Sequence, residues 1–178
     1  SLEETARQER YAFFERVARK LGKGVKPKIS VGHTLDDQAE TVLFRIIRGT
    51  GIKGLRGILP KRRLSAGSDF RLTRPLIELT HQEILGFLKD QKIGYRLDAT
   101  NLDQTILRNR IRRELMPLLR QYNPGVVRHL VQLGEDAQRN EEVIARIIKQ
   151  RYSRLKSSIK ISDFQKEHPV LQVAVLTE

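Results

Sequence analysis

Apolar residues recur along this chain in two rhythms, and the switches between them outline its elements. Leu2, Ala6, Phe13, Val17 and Leu21 follow a helical period, and Ser1-Leu2-Glu3-Glu4 ahead of them has the form of a capping box, so a helix is predicted over 2–21. Gly22 and Gly24 end it. Pro27 to Gly32 reads as a short buried strand. Thr34-Leu35-Asp36-Asp37 is a second capping box, with Leu35, Ala39, Val42, Leu43, Ile46 and Ile47 on one face behind it, which predicts a helix over 35–48. Gly49 to Pro75, rich in Gly and cations, reads as loop or hairpin with a strand at 70–73. Thr80-His81-Gln82-Glu83 opens a third helix to about Gln91, closed by Gly94. A short strand at 95–97, a turn at 98–101 and an Arg-rich helix over 105–115 follow, and Pro117 must end or restart that helix. Tyr122-Asn123-Pro124-Gly125 breaks the chain. Beyond it a long helical period returns, with a further helix read from Phe164 to Glu178. The expected organisation is therefore an α/β unit over 1–120 and an all-α unit over 121–178.

Composition narrows the chemistry. No run of apolar residues exceeds four, far short of the roughly 20 a bilayer-spanning helix needs. With no Cys, thiolate catalysis, zinc–thiolate sites and iron–sulfur clusters drop out together. Thirty-four Lys and Arg against 21 Asp and Glu leave a net charge of +13 in 178 residues. That imbalance calls for a polyanionic partner, with nucleic acid the simplest, because each neutralised phosphate adds sequence-independent affinity. A merely basic solvated surface is the alternative.

The segment from His33 to Thr41 carries the densest candidate chemistry. It lies where a strand hands over to a helix, and in an open parallel sheet ligands bind at that point. His33, Asp36, Asp37 and Glu40 fall at i, i+3, i+4 and i+7. The two aspartates can serve as helix-start caps or as hard oxygen ligands for nucleotide-bound Mg²⁺. Gly49-Thr50-Gly51-Ile52-Lys53-Gly54 matches G-x-G-x-x-G but follows a helix, so a dinucleotide site is disfavoured. A phosphate-approaching loop or a plain helix end both remain. Arg108 and Arg112 share a helical face while Ile111, Leu115 and Leu118 point to the core. Arg7 and Arg10 lie opposite Phe13 and Val17 and can be an ordinary polar face.

Taken in order, His33-x-x-Asp36-Asp37-Gln38-x-Glu40-Thr41, Arg48-Gly49-Thr50-Gly51, Arg74-Pro75-Leu76, Asp98-x-Thr100-Asn101 and Arg108-Asn109-x-Ile111-Arg112 resemble the tRNA(Ile)-lysidine synthases of the N-type ATP pyrophosphatase family over about residues 2–125. The resemblance implies an α/β fold, a partial parallel sheet flanked by helices of the ATP-pyrophosphatase (adenine nucleotide alpha hydrolase-like) type, followed by an all-α domain. It implies a cytoplasmic ligase that uses ATP and Mg²⁺ to adenylate the wobble cytidine of tRNA(Ile), after which the amine of free L-lysine displaces AMP. It makes His33, Asp36, Asp37 and Arg108 catalytic, with Asp36 and Asp37 holding metal. Arg7, Arg10, His33, Gly49 and Gly51 become nucleotide contacts, and Arg74, Asn109, Arg112, Lys61, Arg62 and Arg63 tRNA contacts. The family's Ser-Gly-Gly-x-Asp-Ser phosphate loop does not occur in this sequence. The chain is thus expected to be an internal piece of a longer enzyme, inactive alone, with uncovered strand edges that leave a homodimer open. Two alternatives stand: another tRNA-modifying ATP pyrophosphatase such as a cytidine 2-thiolation enzyme, which depends on Cys pairs, and an RNA-binding module without catalysis.

Overall fold

The computed structural model describes residues 2–20, 27–65, 68–96, 107–152, 164–166 and 168–176. Helix α1 (Leu2–Lys20) leads to strand β1 (Lys28–Ser30), then α2 (Leu35–Arg48) and the single turn α3 (Ile52–Leu55). Strands β2 (Lys61–Arg63) and β3 (Arg71–Thr73) follow, then α4 (His81–Asp90), α5 (Leu107–Arg110), a π-helical turn at Ile111–Leu115, α6 (Met116–Tyr122), α7 (Val126–Tyr152) and α8 (Pro169–Leu176). The cap at Ser1, the glycines at 22 and 24 and the turn at 98–101 lie outside the described residues.

Both remaining capping boxes form. Thr34 and Thr80 each accept from the backbone three residues on, while Asp37 and Glu83 reach back to the cap backbone. The bounds of α2 are those the periodicity predicts.

The sheet is mixed, not parallel throughout. Its order is β1-β3-β2, with β1 parallel and β2 antiparallel to β3. The chain between β2 and β3 is too short for a crossover, so that pair must run as a hairpin. Leu72, at the centre of β3, is wholly buried. Strand β1 is an edge strand and only partly covered.

Two smaller expectations fail on local geometry. Helix α4 ends on Lys92, whose φ of 54° puts it in the left-handed region, and Gly94 plays no part in that end. Tyr95 and Arg96 belong to no strand.

Helix α2 is central. Its Ala39 packs with Ile111, Met116, Val127 and Val131 in one buried cluster, so helices on both sides of the 123–125 break share a core. Burying a side chain such as Ile111 contributes roughly 1.5–3 kcal/mol. Leu118, expected in that core, stays exposed. The cause is the π-turn, in which the Met116 N–H donates to the Ile111 carbonyl. Pro117 follows at once, and its ring needs room against the carbonyl four residues back, which one wider turn provides. The extra residue turns everything after it by about 100°.

Candidate functional site

The N-terminal end of α2 gathers charge from three other elements. Asp37 Oδ2 accepts from the Thr34 backbone (2.9 Å) and hydroxyl (3.0 Å), and its Oδ1 accepts from Arg112 Nη2 at 2.7 Å. Arg112 also grips Glu40 with two bonds, Nε to Oε1 at 2.7 Å and Nη2 to Oε2 at 2.8 Å. The Glu40 side chain is only 4% exposed. Burial therefore holds its carboxyl above the ordinary range, against the pull of Arg112's hydrogen bonds and charge, while Glu40 in turn raises Arg112. Asp36 faces the other way: Oδ1 accepts from Arg120 Nη2 (2.8 Å) and Oδ2 from the backbone N–H of His81 (2.7 Å), which ties the starts of α2 and α4 together. A cleft of about 750 Å³ opens beside this network, with Asp36, Asp37, Glu40, Arg112 and Arg120 in its walls.

As they stand, Asp36 and Asp37 do not fit a magnesium site. All four carboxylate oxygens already accept from arginine, backbone or hydroxyl donors, and two of those donors are cations. Among the described residues no three His, Asp or Glu side chains converge as a metal site.

His33 belongs to a second group, next to the cleft but not in its wall. Arg74 Nε donates to its Nδ1 at 3.1 Å. A guanidinium can only donate, so Nδ1 must be the acceptor and the ring proton sits on Nε2. Burial, then the charge of Arg74, lowers the imidazole's pKa; Asp37 opposes, and Arg108 and Arg10 add to the lowering. His33 is thus a neutral ring bonded to Arg74, with the charges of Arg108 and Arg10 also acting on it and an N–H donor at Nε2. Arg74 is itself buried and fastened to the Leu59 carbonyl at 2.5 Å. Arg108 Nη2 donates to Thr41 Oγ1 at 2.7 Å, and Asn109 beside it is buried.

The remaining candidates lie apart. Gly49 and Gly51 sit past the far end of α2, roughly 20 Å from Asp36 at 1.5 Å rise per residue. Lys61, Arg62 and Arg63 form the outer strand β2, and Arg62 stacks over the Tyr11 ring of α1 at 4.8 Å. Arg10, exposed on α1, reaches His33 only through its charge; the side chain of Arg7 is outside the described ones.

A family model described as the PP-loop domain matches residues 1–119. The chain belongs to the PP-loop domain family. It is 39% identical over 153 residues to a tRNA(Ile)-lysidine synthase of Clostridium acetobutylicum, covering 85% of this chain and 31% of that protein. To the tRNA(Ile)-lysidine synthase of Geobacter sulfurreducens it is 38% identical over 84% of this chain and 30% of the relative. To that of Dehalococcoides mccartyi it is 36% identical over 100% and 39%. The chain spans about a third of the length of these curated relatives. Within the PP-loop match lie the residues from Arg10 through His33, Asp37 and Arg74 to Arg112, while Arg120, which holds Asp36, stands just beyond its end. No helix among the described residues is long and apolar enough to cross a membrane.

Sequence reading missed Arg120, the His81 backbone and Gln38. Gln38 stood inside the motif and could have been singled out as a polar residue on a buried face. Arg120 carried no signal, because the π-turn ahead of α6 sets the phase that faces it toward Asp36.

Proposed function

We propose that this chain provides the histidine–arginine face and the carboxylate cleft of a tRNA(Ile)-lysidine synthase acting in the cytoplasm. The carrying observation is the His33 ring, which accepts from Arg74 at Nδ1, carries its proton on Nε2 and feels the charges of Arg108 and Arg10. ATP supplies an adenylyl group to the C2 oxygen of the wobble cytidine, releasing pyrophosphate; the amine of L-lysine then attacks C2 and AMP departs with that oxygen. His33 donates to an acceptor oxygen and cannot serve as a base at Nδ1. Arg74 and Arg108 are anchored cations and Arg10 an exposed one, all suited to a phosphoryl group, whose developing charge their planar forks stabilise. In the cleft, Asp36, Asp37 and Glu40 supply negative charge toward an incoming ammonium, with their oxygens held in place by Arg112 and Arg120. Magnesium on Asp36 and Asp37 has no place in this reading, since donors already occupy their oxygens.

The test is formation of lysidine on a tRNA(Ile) transcript by the gene product that contains this chain, read by mass spectrometry of nucleosides with and without ATP and lysine. Arg108→Ala is expected to lower turnover by about 10²-fold or more, and Asp37→Asn comparably while folding is kept. Near-normal turnover in both variants would return these residues to helix capping and surface charge. RNA contact is tested separately by filter binding at several salt concentrations. The slope of log affinity against log salt should be about −0.7 to −0.9 per phosphate contact, and replacing Lys61, Arg62 and Arg63 together should flatten it if β2 faces the RNA.

A further inference from the structure

Gln38 is the one residue of the His33-to-Thr41 segment whose role the proposed chemistry leaves unexplained. It is buried, 6% exposed, and a buried primary amide must satisfy both ends. Its Nε2 donates to the Arg56 carbonyl at 3.1 Å and its Oε1 accepts from the Ile58 N–H at 2.5 Å. The two bonds bracket Gly57, which turns with φ +63°, and a Cβ there would lie 2.4–2.8 Å from the Gln38 amide atoms. Gly57 is therefore required twice, for its backbone angle and for room. On the other side Gly134 of α7 brings its backbone so close that a Cβ would stand 3.2 Å from Gln38 Nε2. The amide is wedged and cannot turn.

The turn that Gln38 grips runs straight into the support of Arg74. Leu59 O accepts from Arg74 Nη1 at 2.5 Å, and Pro60 O accepts from the Arg74 backbone N–H at 3.0 Å. Arg74 then donates from Nε to His33 Nδ1. We propose that Gln38 is a positioning residue which, through the Gly57 turn and Arg74, fixes His33 as its Nε2–H tautomer. Arg45 holds the same turn at the Gly54 and Gly57 carbonyls, but the Ile58 N–H, next to Leu59, is held by Gln38; losing that bond lets the Leu59 and Pro60 carbonyls drift, and a guanidinium without its anchor no longer presents Nε to the ring. The charged groups acting on His33 are Arg10 from α1, Asp37 from α2, Arg74 after β3 and Arg108 from α5; of these, Arg74 is tied to the turn through Leu59 and Pro60. The inference rests on the proposed function for its catalytic meaning but not for its structural content.

The experiment is histidine NMR on this chain without ATP or RNA, with His33 assigned by loss of its signals in His33→Gln. In the wild type, ring nitrogen shifts should show the Nε2–H tautomer and a titration midpoint below the ordinary value of about 6.5. Gln38→Met keeps the length but neither donates to Arg56 nor accepts well from Ile58. It is expected to mix the tautomers and raise the midpoint by about half a pH unit or more. Gly57→Ala, whose Cβ would press on the Gln38 amide, should do the same with Gln38 itself unchanged, and Arg74→Lys sets the full size of the effect. A structural role alone lowers the melting temperature and leaves tautomer and midpoint in place; that result, in folded Gln38→Met, overturns the proposal. Should Gln38→Met fail to fold, Gln38→Glu and Gly57→Ala decide it in the same way. Because the readout uses no substrate, its failure leaves the ligase reading standing, and absence of lysidine formation leaves this linkage intact.

Discussion

The two capping boxes of this molecule begin alike and end differently. Thr34 with Asp37 and Thr80 with Glu83 make the same pair of reciprocal bonds at the starts of α2 and α4. Glu83 spends its carboxylate on Thr80 alone and stands in solvent, and those hydrogen bonds hold its pKa below the ordinary range. Asp37 caps with one oxygen and gives the other to Arg112, 75 residues away, which also clamps the buried Glu40. The same local device can therefore be a finished helix start or one corner of a charge network. What separates them is the packing around the cap: Thr34 is buried, and none of the residues of α4 is.

Breaking the network should have the largest effect. Arg112→Met leaves Glu40 buried without its cation, and urea unfolding is expected to show a loss of about 3 kcal/mol at neutral pH. Pairing that change with Glu40→Leu should recover most of it, since two apolar groups leave no buried charge behind. The pH dependence follows from sign. Glu40 has a folded pKa raised above 4.5, so the fold holds a proton more tightly than the unfolded chain does. Its stabilising contribution is present below that value and lost as pH rises through the folded pKa. The Arg112→Met variant should thus be closest to wild type near pH 4 and fall away toward neutrality, which thermal melts across that range will register.

Pro117→Ala should come next. Without the ring the π-turn can relax to an α-turn, rotating Met116 out of the core cluster and Arg120 off Asp36, and the loss should be about 1–2 kcal/mol because a regained backbone bond offsets part of the lost packing. A gain in stability would mean the proline is not what holds the wide turn. Capping alone separates the two boxes more finely: Thr34→Ala should cost about 2 kcal/mol and Thr80→Ala about half that. Equal losses would show that burial adds nothing to the first cap. The smallest effect belongs to Glu83. Its lowered pKa contributes stability above the unfolded value that disappears as pH falls through the folded one, so Glu83→Gln should flatten the acid limb of the melting curve slightly and do so less at high salt.

The sequence-level reading succeeds where the physics is local. Capping boxes, the bounds of α2 and the break at Asn123–Gly125 depend on residues within a turn of one another, and they form as the pattern says. The motif carrying His33, Asp36 and Asp37 could be placed at a strand-to-helix junction for the same reason. Pairing across the fold was not legible. Nothing near Asp36 announces Arg120, and nothing near Glu40 announces that Arg112 will cover it. The helical phase beyond Ile111 was lost at Pro117, whose wide turn sends Leu118 outward. The parallel sheet was half right, because three-residue strands carry too few alternations to reveal direction.

The connectivity of the sheet sets an order of assembly. The β2–β3 hairpin joins near neighbours, whereas β1 reaches β3 only across a sequence separation of 43 residues, with all of α2 in between. Closing that loop carries an entropic cost that the hairpin escapes. The hairpin should form early and β1 dock late, once α2 has condensed on Ile111 and Val131 and supplied a surface to land on. Amides of β1 should then exchange with solvent through a lower-energy opening than those of β3, and the loop that presents His33, directly after β1, would take its place among the last parts of the molecule to settle.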